Sequence, residues 1–207
     1  MNKRRDFLIF LTLVILSLSQ AGCARLFGWD IHAPGILSQN FSYQVKPVPA
    51  RLALYLPPAL MSYQSKDRGG KTADPQTYHV GESLGPMLVE GFQNAFDEFI
   101  FLEFEPTPGI MKQYALPYLV VVQIKHFDNN VTWKGQGITL VTEAVVLDSD
   151  LNIAGRFEAR GLSDAQKVFA KKGGPQVNLN AAIENNVLAI VQYLQDSIRS
   201  KAWERKV

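Results

Sequence analysis

Cys23 is the only thiol in the 207-residue chain, and a thiolate is a nucleophile, a metal ligand or an oxidation target according to its surroundings. It stands in LSLSQAGCARLF (16–27), directly behind an unbroken apolar run. The other chemistry-bearing residues are scattered. His32, His79 and His126 show no metal-ligand spacing among them, so no metal site is expected. Asp97 and Glu98 are neighbours in a helical pattern and point in different directions, which does not make an acid–base pair. Asp148, Asp150 and Asn152 match the first oxygen ligands of a calcium loop, but Ile153 stands where that loop requires glycine and Ala159 where it requires a bidentate glutamate. A hairpin turn is the better reading. With no nucleophile elbow and no phosphate loop in the sequence, neither an enzyme nor a cofactor is expected.

The context of Cys23 begins at Lys3, Arg4 and Arg5, which precede an apolar stretch from Phe7 to Leu18 and then small residues. A positive start, an apolar middle and a small-residue end make an export signal, and roughly a dozen apolar residues fall short of the ~20 needed to span a bilayer. Residues 1–22 are therefore expected to be removed. An exported chain meets oxidising surroundings, where a second thiol would risk a wrong disulfide, and the composition agrees.

Gln20, Ala21, Gly22 and Cys23 resemble the lipobox of bacterial lipoproteins, with Gln20 standing where leucine is usual. The resemblance implies that the sulfur becomes a thioether to diacylglycerol, that cleavage leaves Cys23 as the first residue, and that its amine is acylated. Several acyl chains hold a protein to a bilayer, whereas one holds only marginally at about 0.8 kcal/mol per buried methylene. By the same resemblance Ala24, where aspartate would mean inner-membrane retention, implies the outer membrane, with the domain facing the periplasm.

Without Lys3, Arg4, Arg5 and Asp6 the chain carries 18 basic and 18 acidic residues. A neutral chain without a basic block lacks the footprint of a nucleic-acid binder. Residues 23–48 hold no period for long and are broken by proline and glycine, so an extended tether is expected, although Phe27, Trp29, Ile36, Leu37 and Phe41 are more apolar than a spacer requires. Residues 49–207 are enough for one compact domain with a real core.

Within that domain, ARLALYL (50–56) reads as a strand stopped by Pro57-Pro58. A long aperiodic loop follows over 57–80, with Leu60, Met61 and Tyr63 in its apolar part as candidate partner-contacting residues. Leu84, Leu88, Phe92, Ala95, Phe96 and Phe99 predict a helix over 82–99 with Pro86 in its first turn. Strands are predicted at 100–105, 117–127, 132–148 and 153–162, with DSDLN (148–152) as a hairpin turn and Gly135 and Gly137 as a bulge or bend. A second helix is predicted over 180–201, capped by Asn178 or Asn180, with Arg199 and Lys201 at the negative end of its dipole.

The order β-α-β-β-β-β-α describes an α+β two-layer sandwich: a mainly antiparallel sheet of about five strands with two helices on one face. That order, the lipobox and the hairpin VVLDSDLNIAGRF resemble a group of small periplasmic domains: the lipopolysaccharide-assembly lipoprotein, the auxiliary lipoproteins of ABC-type transporters and the amino-terminal domain of the Tol-system protein B. The expected role is a lipid-anchored adaptor or scaffold for an envelope assembly or transport complex, with membrane lipid and envelope proteins as partners. The alternative is a periplasmic protein that binds a lipid or another apolar ligand between sheet and helices.

Overall fold

A computed structural model of the chain describes residues 28–67, 75–132, 135–163 and 174–203. Residues 1–22, and with them Gln20, Ala21 and Gly22, lie outside these, as does Cys23. The elements run β1 (Trp29–Ile31), α1 (Gln39–Gln44), β2 (Val48–Tyr55), α2 (Pro58–Met61), β3 (Ser65–Asp67), β4 (Gln76–Tyr78), α3 (Val80–Ala95), β5 (Phe96–Leu102), α4 (Pro108–Gln113), β6 (Tyr118–Thr132), β7 (Gly135–Asp148), β8 (Ile153–Leu162) and α5 (Gly174–Arg199). The chain divides into two compact units: Met1–Ile31 with Lys66–Tyr78, and His32–Ser65 with His79–Val207.

The described part of the first unit is built on a small sheet in the order β1-β4-β3, in which β1 and β4 run parallel with Ile31 opposite Tyr78. Trp29 N–H donates to the Pro75 carbonyl at 2.8 Å just before the ladder begins.

The second unit is an α+β sandwich on a five-stranded sheet of order β5-β2-β6-β7-β8. β6, β7 and β8 form long antiparallel pairs, while β5 and β6 flank β2 in parallel. Parallel strands need a crossover between them, and the chain makes one through α3 from β2 to its neighbour β5 and another, past β2, through α4 from β5 to β6. β7 alternates strictly: Ile138, Leu140, Thr142, Ala144 and Val146 are buried and the residues between them half-buried. That period of two is what a strand with one face in the core requires. α5 packs on β7, β8 and α3. Leu84, Leu88 and Phe92 of α3 and Ile183, Val187, Ile190 and Leu194 of α5 have no exposed surface, each such side chain contributing about 1.5–3 kcal/mol of transfer free energy. A smaller cluster of Ala53, Met111, Leu116 and Leu119 is joined by half-buried Val121 and Leu147.

The first long helix starts two residues earlier than its periodicity predicts and ends at Ala95, so Pro86 lies inside it. Its missing N–H frees the Glu82 carbonyl on an exposed side of the helix, where water can take the bond. Phe96 and Phe99 belong to β5, paired with Val48 and Leu52 of β2. Their four- and three-residue steps continue the helical spacing by coincidence; both rings still pack tilted against Phe92, at 5.5 and 5.8 Å between centroids. The chain reversal predicted at 148–152 is present, and β6 and β7 pair antiparallel out to Thr132 opposite Gly135. The β6 bulge lies between Ile124 and His126, while Gly137 sits in regular register opposite Asn130.

α5 begins at Gly174, so neither Asn178 nor Asn180 caps it. Their amides bond outward instead: Asn178 Nδ2 donates to the Gln136 carbonyl at 3.0 Å, and Asn180 Nδ2 to the Ile36 carbonyl at 3.0 Å. Near the other end, Gln195 Nε2 donates to the carbonyls of Lys46 and Ala95 at 2.8 and 3.1 Å. The second bond satisfies one of the orphan carbonyls at the end of α3.

Residues 32–48, expected as tether, are ordered on this core. Leu37, Phe41 and Val45 are buried, and Leu37 and Phe41 close over Gly91 of α3 beside Val187 of α5. Ser38 N–H and Oγ both donate to the Glu184 carboxylate, at 3.0 and 2.5 Å. The docking needs only three apolar side chains around a six-residue helix, too short to hold a readable period.

Candidate functional site: a histidine–glutamate cluster

β1 and β4 end their ladder at Ile31 and Tyr78, and the next residue of each segment is a histidine. His32 and His79, 47 positions apart in sequence, stack their rings at 3.9 Å between centroids and 21° between planes. His79 precedes α3 and Glu82 lies in that helix's first turn, so a three-residue step brings the carboxylate under the ring. His79 Nδ1 lies 2.9 Å from Glu82 Oε1, and His32 Nδ1 lies 3.0 Å from Glu82 Oε2. Because a carboxylate only accepts, each of these nitrogens carries its hydrogen when it makes the bond. The Gln64 amide lies 3.2 Å from the same nitrogen of His79.

His79 is the more enclosed ring, 13% exposed, against 53% for the His32 side chain and 55% for that of Glu82. The hydrogen bond from His79 is the largest cause holding the Glu82 carboxyl below its ordinary value of 4.5; desolvation opposes it and the bond from His32 adds to it. An acidic residue in a first turn also suits the positive end of the helix dipole.

The sequence offers no spacing that foretells this meeting, and the expectation that the histidines lack any ligand arrangement is corrected for this pair: their ligand atoms and those of Glu82 all lie within 4.8 Å of one another. The cause is a parallel pairing of three-residue strands, which leaves no periodic signature. His126 stays apart as an exposed residue at the β6 bulge.

The residues of the expected partner loop are docked, not extended. Leu60 is buried, Tyr63 half-buried, and Met61 lies over Gly85 of α3 with 38% of its surface exposed. Gly81 N–H donates to the Tyr63 carbonyl at 3.0 Å. A side chain at Gly81 would run into the carbonyl oxygens of Leu60 and Met61, so glycine is what allows α2 to approach α3 this closely.

Asp97 and Glu98 lie on β5, not on a helix, and successive strand residues face opposite ways; Glu98 accepts from Arg51 Nη1 at 2.9 Å. Asp148 closes the hairpin, its Oδ1 accepting from the backbone of Asp150 and Asn152 at 2.9 and 2.8 Å. Arg199 faces Asp196 at 3.4 Å beside a polar groove lined by Gln44, Lys46, Gln192 and Gln195.

No protein-family model matches the chain. No curated protein matches it in sequence. Among solved structures it is similar to the hypothetical protein CT253 of Chlamydia trachomatis, with 8% identity, a TM-score of 0.39, and 74% of this chain and 96% of that one covered. It is similar to PelC of Paraburkholderia phytofirmans, solved as a dodecamer, at 10% identity and a TM-score of 0.39, covering 71% and 92%. It is also similar to the lipoprotein GNA1162 of Neisseria meningitidis at 7% identity and a TM-score of 0.37, covering 73% and 97%. Likeness at these values assigns no function. Among the described residues no helix is long and apolar enough to cross a membrane.

Proposed function

We propose that the chain is a lipid-anchored protein of the bacterial envelope, held at the outer membrane by acylated Cys23 and facing the periplasm, whose domain acts as a nonenzymatic adaptor or scaffold in an assembly or transport complex. The observation that carries this reading is the placement of Cys23 directly after Ala21-Gly22, behind a basic start and the apolar stretch Phe7–Leu18. Burial favours the adaptor over the apolar-ligand alternative, because the stripes of α3 and α5 are consumed by packing on the sheet, with Leu84, Leu88, Phe92, Ile183, Val187 and Leu194 fully buried. The described residues offer surfaces a partner could use. β5 and β8 are the outer strands of the sheet, where strand addition is a ready binding mode, and Met61 offers an apolar contact on α2.

Crosslinking in intact cells, followed by identification of the captured proteins, tests the role. The adaptor reading expects recurrent envelope assembly or transport proteins whose yield falls in Met61→Ser or in a variant with charged substitutions along an outer strand. Capture of none, together with a lipid in organic extracts of the purified protein, would replace it with the ligand-binding reading.

A further inference from the structure

We propose that His32, His79 and Glu82 form a binding site for a divalent transition-metal ion of the zinc class. Both Nδ1 atoms converge on one carboxylate, at 3.0 and 2.9 Å, each taking a different oxygen. A tetrahedral ion with bonds of about 2.0–2.1 Å holds its ligand atoms roughly 3.3 Å apart. With one carboxylate oxygen as ligand, one nitrogen–oxygen pair is already within a few tenths of an ångström of that spacing and one ligand atom from each residue lies within 4.8 Å of the others; the half-exposed His32 ring turns out of its stack on His79 to aim its lone pair at the ion. Two imidazoles and one carboxylate select borderline ions such as zinc, nickel or copper over calcium or magnesium, which take oxygen ligands.

The ion would take the place of the two bridging hydrogens, each neutral ring then carrying its hydrogen on Nε2 and offering the Nδ1 lone pair to the metal. Exposure of His32 and Glu82 leaves room for water in a remaining position, which is the arrangement of three protein ligands plus an open place. Gln64 Nε2, 3.2 Å from His79 Nδ1, gives up that contact when the nitrogen's lone pair is taken by the ion. The site joins residues from two distant segments, so the bound ion would clip the segment at His32 to the start of α3.

The test is calorimetric titration of the full chain in detergent with zinc chloride, after chelator treatment and dialysis, alongside His32→Ala, Glu82→Gln, His79→Ala and the control His126→Ala. One equivalent of zinc per chain is expected, with affinity lost by more than the roughly 10–100-fold that removal of an outer partner costs in each cluster variant, and unchanged in His126→Ala. His32 is half exposed and on the surface, so His32→Ala decides the matter if His79→Ala fails to fold. Absence of zinc binding, or binding that survives His32→Ala and Glu82→Gln, overturns the proposal.

Discussion

Thr142 Oγ1 donates to Asn186 Oδ1 at 2.8 Å where neither side chain has any exposed surface. Asn186 uses its remaining capacity on the sheet, Nδ2 donating to the carbonyls of Leu140 and Ala159 at 3.2 and 3.0 Å. A buried amide with its oxygen and both N–H groups bonded fixes the register of α5 on β7 and β8, and the same amide with bonds missing is costly. Asn186→Ala should therefore destabilise the domain by about 2–4 kcal/mol, combining lost bonds with a small cavity, and Thr142→Val by about 1–2 kcal/mol. The double variant should cost less than the two together, because both remove the same bond. Urea unfolding followed by circular dichroism measures all three; additive effects would mean that the two side chains act independently.

The same helix approaches β8 at Gly161, where an added Cβ would run into the Ala182 carbonyl oxygen and come within 2.7 Å of the Asn186 backbone nitrogen. Backbone atoms of a packed helix cannot step aside cheaply. Gly161→Ala should cost at least the upper end of the roughly 1–3 kcal/mol typical of overpacking. Gly137→Ala, whose nearest neighbour lies at 3.9 Å, should stay within about 0.5 kcal/mol of the parent. Equal melting temperatures for the two variants would remove the close approach as the reason for glycine.

Asp148 carries a pH dependence of known sign. The backbone bond from Asn152 is the largest cause holding its carboxyl below the ordinary 3.8; desolvation opposes this, and the Asn152 amide and the Asp150 N–H add to the lowering. A carboxyl whose folded pKa is depressed stabilises the fold above its unfolded pKa and loses that contribution as pH falls through the folded one. The stability difference between the parent chain and Asp148→Asn should thus be constant above about pH 5 and shrink as the pH falls below 3.8. A difference that does not change through the acid range would contradict the turn's hydrogen bonds.

How far the sequence discloses this protein follows from what each feature requires. The faces of α3 and α5 and the alternation of β7 are local repeats, so Leu84, Leu88, Ile183, Val187 and Val146 announce their own burial. Element ends are less legible: Phe96 and Phe99 keep a helical spacing while pairing with β2, because aromatic residues suit both patterns. Asn186 reads in isolation as a poor helix former, and its purpose exists only once two strands lie beneath it. Phe41 reads as part of a spacer because its helix has only six residues. The pairing of His32 with His79 depends on a parallel ladder between segments 47 residues apart, which no window of sequence contains.

The proposed anchor makes a prediction that is separate from folding. Cys23 precedes every described element, so Cys23→Ser should leave the domain's circular dichroism and melting temperature unchanged while shifting the protein from membrane fractions to a soluble form or an uncleaved precursor. Cell fractionation with immunodetection checks it. Mature variant protein that still sediments with the outer membrane would show that something other than the sulfur holds it there.

The most direct test of the account is intact-mass analysis of the protein extracted from membranes of its native host. The account predicts a chain beginning at Cys23 and heavier than its residues by a diacylglycerol group and an amide-linked acyl chain. A chain of unmodified mass, whether it begins at Met1 or at Cys23, would contradict it.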